Sequence, residues 1–335
     1  MPLLQTRGAG SARGFGFSAT QAGGGGGGDG TIGIFAVGET QSQGPRTVRN
    51  KYTYATCTST ASGVAASSQG SAAGSAVGNS TRGIFSIGLC NACTYCGFNT
   101  RNKYTYATCT STACGVAVAS QPGYYQSAAG NSTRGIIATG YRHPSARTTR
   151  NKYTYATCTS TACGVAASSV ATAGGAAAGN STRGIFQIGC GGGGALTKVR
   201  DKYTYATCTS TSATNSSDFG AKGSALGNST RGIFSIGSSI SCRASKVREK
   251  YTYATDTNIT CCIPQFSVNL NQSSGAGNST RGILALGYAF SGAFLSTRCK
   301  YTYATCTATT SGVGASSCNA KAGSAASWAT CVNSP

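Results

Sequence analysis

GNSTRGIFSIG at 78–88 and KYTYATCT at 103–110 decide the fold, because both recur along the chain at one step. KYTYA appears six times, with its Lys at 51, 103, 152, 202, 250 and 300, so the interval stays within 48 to 52 residues. GNSTRGI keeps that step with its Arg at 82, 134, 183, 231 and 281, and TIGIFAVG, starting at Thr31, is a degenerate sixth copy. A period near 50 built from short apolar pieces marks a repeat architecture, and β-propeller blades fall in this size range.

Within one unit, RGIFSIG (82–88) and KYTYATCT (103–110) are rich in β-branched and aromatic residues, and Tyr104 and Tyr106 alternate with Lys103, Thr105 and Ala107. Both read as strands. CGVAVAS (114–120) and QSAAG (126–130) supply two weaker strands whose small side chains suit a crowded axis, with Gly130-Asn131 as a hairpin turn into the next TRGI strand. No segment has the three-and-four spacing that a helical solenoid needs. The chain ends on SGVGASS (311–317) and AGSAASWATC (322–331), the third and fourth strand types, which are expected to complete a blade with the strands from Thr31 onward. Pairing the two chain ends removes an exposed sheet edge. The expectation is therefore an all-β propeller of six four-stranded blades over residues 29–335, preceded by a Gly-rich arm at 1–28. A seventh blade using SARGFGFSA (11–19) is the alternative.

The paired blocks resemble the kelch type of propeller repeat, and more closely the divergent kelch-like repeats of phage and other viral structural proteins and of some bacterial surface proteins. The resemblance covers roughly residues 30 to 330. Where kelch blades carry a Gly-Gly doublet this chain has single glycines (Gly88, Gly140, Gly189, Gly237, Gly287), and its one Trp is Trp328. The resemblance implies a propeller used for binding or assembly, in a virion or on an extracellular surface.

Of 335 residues, 49 are Gly and only 10% are charged, with one Met and one Trp, so helix formers are too scarce for an all-α fold. Neither a signal peptide nor an apolar stretch long enough to span a membrane is visible. Catalytic groups are few: His143 and six carboxylates, Asp29, Glu39, Asp201, Asp218, Glu249 and Asp256. Asp201 and Glu249 precede KYTY where other units have Asn50, Asn102, Asn151 and Cys299, and read as surface variation. A single His supports neither a triad nor a multi-histidine copper site. The leading expectation is a non-enzymatic structural or binding component, with a hydrolase or lyase acting on anionic polysaccharide as the alternative.

Cys90, Cys93 and Cys96 have a spacing that can wrap a metal ion, and His143 lies in the equivalent loop of the next unit, so a zinc site is one reading. A loop disulfide with a spare thiol is the other. Five cysteines, Cys57, Cys109, Cys158, Cys208 and Cys306, recur at one repeat position, which Asp256 fills in the remaining unit. Cys109 with Cys114, and Cys158 with Cys163, are spaced as partners across a two-residue hairpin and are candidate disulfides; buried free thiols are the alternative. The Asn-Ser-Thr runs at Asn79, Asn131, Asn180, Asn228 and Asn278 read as turns rather than glycosylation acceptors.

The net charge of +21 arises from 27 Lys and Arg against 6 acids. Arg49, Lys51, Arg101, Lys103, Arg150, Lys152, Arg200, Lys202, Arg248, Lys250, Arg298 and Lys300 begin the six KYTY strands, and loops at that end add Arg46, Arg142, Arg147, Lys198, Arg243 and Lys246. Such a rim would suit a polyanion, either nucleic acid or an acidic glycan, or an acidic protein subunit, possible homo-oligomers included. Arg capping backbone carbonyls or stacking on tyrosine is the competing reading.

Overall fold

Tyr104 is fully buried within Arg101–Thr105 while Lys103 and Thr105 beside it are half-buried, as the alternation in KYTY requires of a strand between two packed layers. The computed structural model describes residues 31–327, apart from 42–43, 90–96, 114, 163, 192–194, 238–246, 261–269, 286, 290, 292 and 321–322. These residues form six four-stranded antiparallel sheets and no helix. In the second blade the order from axis to rim is Ser75–Gly78, Arg82–Ser86, Arg101–Thr105 and Thr110–Thr112.

The first blade is made by both ends of the described chain. Its inner strand is Ser324–Ser327, which pairs antiparallel with Ile32–Ala36, followed outward by Arg49–Thr53 and Thr58–Thr60. The inner strands pack neighbour to neighbour in a closed circle of six. Six blades therefore complete the ring, as expected. SARGFGFSA and the arm 1–28 lie outside the described residues.

One strand assignment needs correction. The described part of CGVAVAS, residues 115–120, is not a strand: the hairpin after KYTY closes at Thr105 opposite Thr110, with Tyr106 to Cys109 as its turn, so Thr110–Thr112 is already the outer strand. The chain must then cross from the rim to the axis of the next blade, and it buries Val116 and Ala119 on the way. The small residues of SAAG do form the inner strand, Ser127–Gly130. Crowding explains them: a Cβ on Gly135, one strand out, would lie 2.1 Å from the Val77 side chain of the preceding blade.

The core lies between blades. Ala129, Ile136 and Ala138 of the third blade pack with Phe186, Tyr203 and Tyr205 of the fourth, and every junction repeats this mix of small, branched and aromatic side chains. The turns fasten it from one side. Asn79 Oδ1 accepts bonds from the amides of Thr81 and Arg82, its Nδ2 donates to Ser132 O in the next blade, and Arg82 Nη1 donates to Tyr155 O there. The Asn-Ser-Thr runs thus act as turns that also buckle adjacent blades. This end is called the turn face; the opposite end, with the longer loops, is the loop face.

Burial raises the pKa of Tyr52, Tyr104, Tyr153, Tyr203, Tyr251 and Tyr301, and of the enclosed Tyr205, Tyr253 and Tyr303. A raised folded pKa contributes stability that is complete below the unfolded value near 10 and is lost as pH climbs through the folded values. Six buried strand arginines have lowered pKa values, about 10 for Arg49, Arg101 and Arg298, and act in the opposite sense above that pH. The tyrosines outnumber them. Stability should therefore fall from about pH 10 upward, with tyrosinate absorbance rising in one step with loss of β-sheet circular dichroism. Gradual tyrosine titration in a chain that stays folded would contradict this.

Candidate functional site

The six arginines expected on a basic rim are at most 1% exposed. Arg49 shows why. Its Nη1 donates to Ala65 O, Ala66 O and Ser111 Oγ, and its Nη2 donates to Asn102 Oδ1 in the next blade at 3.2 Å. Its guanidinium also lies 4.5 Å from the centre of the Phe85 ring. The same pattern links Arg101 to Asn151, Arg150 to Asp201, Arg200 to Glu249, Arg248 to Cys299 and Arg298 to Asn50. The circle closes. Arg49, Arg101, Arg150 and Arg298 cap linker carbonyls, these four and Arg200 lie over aromatic rings, and all six are buried, so they cannot meet a polyanion while the protein is folded.

The residue before KYTY is correspondingly a buried acceptor, not surface variation. Asp201 is 1% and Glu249 0% exposed. Asn102 Oδ1 accepts from Ser67 Oγ and the Ser68 amide as well as from Arg49, and Asp201 and Glu249 accept from the equivalent linker serines, Ser169 and Ser217. Asn102, Asp201 and Glu249 each tie one blade to the arginine and the linker that precede it.

The lysines do not rebuild the rim. Lys202 Nζ pairs with Asp256 at 2.7 Å, and Lys300 Nζ lies 3.9 Å from Cys57 Sγ; both partners sit in turns of the next blade on the turn face. Asp256 is partly buried, which raises its pKa, yet bonds from Lys202, Tyr251 and the Thr214 amide bring it down to about 2. The recurrent cysteines occupy the same turn corner with φ of 53° to 57°, a left-handed conformation seldom adopted by non-glycine residues. Cys109 and Cys158 carry free thiols, and Cys109 Sγ donates to Tyr106 O in its own turn. Thr105, not Cys109, faces its partner across the hairpin, so the two-residue loop that motivated the disulfides is not formed there. Cys114 and Cys163 lie outside the described residues.

So do Cys90, Cys93 and Cys96, while His143 is exposed at the tip of a small hairpin, Tyr141–Arg142 with Ser145–Ala146. Among the described residues no three potential metal ligands gather.

What the structure assembles instead is a cavity on the loop face of about 550 Å³. That hairpin forms one wall through Tyr141, Pro144, Ser145 and Ala146. Tyr124, Tyr125 and Lys222 come from the segments that lead into two inner strands. The Tyr124 ring is 5.2 Å from Tyr125 and 5.3 Å from Tyr141, both inclined, and Tyr141 Oη donates to Pro144 O. Lys222 Nζ stands 5.0 Å from the Tyr125 ring centre. The floor is held by a relay of backbone bonds around the axis: Gly174 N to Tyr125 O, Lys222 N to Gly174 O and Gln272 N to Lys222 O. Tyr125, Gly174, Lys222 and Gln272 all have positive φ, which turns each amide toward its neighbour.

Nothing in the recurring blocks marks these residues, which lie between them. The signal was a break in the repeat. Tyr124-Tyr125 stands where other units have Ala72-Ala73, Ala173-Gly174 and Ala221-Lys222. No protein-family model and no curated protein matches the chain. No helix among the described residues is long and apolar enough to cross a membrane.

The interblade acceptor can be tested directly. Asp201→Ala leaves Arg150 buried without its anion and should cost about 3–5 kcal/mol in denaturant unfolding. Asp201→Asn restores the acceptor that Asn102 and Asn151 supply elsewhere and should cost far less. Equal losses from both would show that the charge, rather than the acceptor, joins these blades.

Proposed function

We propose that the protein is a non-enzymatic binding propeller of kelch-like type, a component of a virion or surface assembly, that presents its ligand site on the loop face. The observation that carries this reading is the tyrosine-lined cavity, the place where the repeat is broken by larger side chains on a frame otherwise closed by structural bonds. Concave, largely preformed sites with a few polar groups are where small ligands bind. Three of the carboxylates that a hydrolase or lyase would draw on, Asp201, Glu249 and Asp256, are engaged in ion pairs between blades, which favours binding over bond cleavage. Of the polyanionic partners, an acidic glycan suits the site better than nucleic acid. With the six strand arginines buried, the recurring line of cations that a phosphate backbone demands is not presented by the described strands.

The test is retention on arrays of acidic glycans, neutral glycans and single-stranded oligonucleotides. The wild-type chain should retain at least one glycan class, Ser145→Trp, which fills the cavity, should abolish retention, and Ala156→Trp on the turn face should not. Incubation with the bound glycan should produce no new reducing ends and no unsaturated sugars. Cleavage would establish the hydrolase or lyase alternative, and loss from Ala156→Trp alone would move the site to the other face.

A further inference from the structure

We infer that the tyrosine cavity is a subsite for one sugar ring bearing a single carboxylate, a uronate unit of an acidic glycan. The inference rests on the loop-face binding reading above and adds the chemistry of the ligand.

Shape and surface come first. A cavity of about 550 Å³ has room for a sugar ring and part of its neighbour. Its large side chains are tyrosines rather than Leu, Ile or Phe, so the wall combines apolar ring area with hydroxyls at the ring tips. A pyranose has the matching character, with C–H groups on its faces and hydroxyls on its edge. Besides Pro144 and Cys190, the remaining described lining is Ser, Ala and Gly, small residues that leave that space open.

Charge then narrows the class. Among the described lining residues Lys222 is the one cation and none is a carboxylate. Its ammonium is held over the Tyr125 ring at 5.0 Å, and its backbone is fixed by bonds to Gly174 and Gln272, so the charge is positioned before any ligand arrives. One cation matches one carboxylate per ring. It does not match a nucleotide chain, which carries a charge on every unit and calls for a basic groove. Nor do the rings offer the parallel platform that successive bases stack on, because both tyrosine pairs are inclined by 56° to 62°.

The experiment titrates the full chain with a galacturonate trisaccharide, its carboxyl-reduced counterpart and a single-stranded trinucleotide, following tyrosine fluorescence and binding heat. The acidic trisaccharide should bind saturably, and the reduced form at least tenfold more weakly. Lys222→Gln should lose that factor and no longer distinguish the two sugars. Lys222→Arg should keep the preference. Tyr141→Ala, checked for an unchanged melting temperature, should weaken both sugars together. Equal binding of both trisaccharides, with Lys222→Gln indifferent, would overturn the uronate assignment and leave the loop-face reading standing. Tighter binding of the trinucleotide at the same site would overturn it as well. Failure of every sugar to bind, together with retention of another array ligand that Ser145→Trp still blocks, would overturn the sugar class alone; no loop-face retention at all would remove both readings.

Discussion

A guanidinium buried between two blades, donating across the gap to the residue before KYTY, is the interaction on which the ring depends. Burying a charge is costly, and the lowered pKa of every one of these arginines records that cost. It is offset because the planar fork can serve several acceptors at once: two linker carbonyls, a serine hydroxyl of the next blade's outer strand and the neighbour's side-chain acceptor. Lysine, a point donor on a flexible stem, could not bridge that set. Arg298 bonding to Asn50 makes the same joint between the last blade and the first, across a sequence separation of 248 residues.

The acceptor varies without breaking the pattern. Asn serves three arginines, a carboxylate serves two and a cysteine sulfur serves one, so the joint asks for an acceptor of modest size more than for a counter-charge. A net charge of +21 therefore overstates the charge available at the surface. The KYTY lysines do not restore a polyanion-binding rim either, since Lys202 and Lys300 reach toward partners on the turn face.

Arginine joints on one side and Asn-Ser-Thr turns on the other bind each blade to its neighbour. At the axis, backbone amides pass hydrogen bonds from one blade to the next through Tyr125, Gly174, Lys222 and Gln272. A side chain placed on that relay is held in position at small entropic cost on binding. Two tyrosines and a lysine, in place of the small residues of the repeat, thus stand at fixed positions around the cavity.

The six copies of KYTYA at near-constant intervals determined the blade count, and the alternation within them determined which tyrosines face the core, because both follow from local strand periodicity. The likeness of the chain's end to the inner part of a unit determined that Ser324–Ser327 would join Ile32–Ala36. Sequence could not assign the arginines, since Arg in a strand reads alike whether it faces water or the next blade, and burial is a property of the neighbour rather than of the segment. Nor could it place CGVAVAS, whose composition suits a strand but whose path was fixed once the hairpin closed early at Thr105 and Thr110. The cavity was decided only by tertiary structure: Lys222 lies far in sequence from Tyr124, Tyr125 and Tyr141, and they line one cavity because their blades converge on one axis.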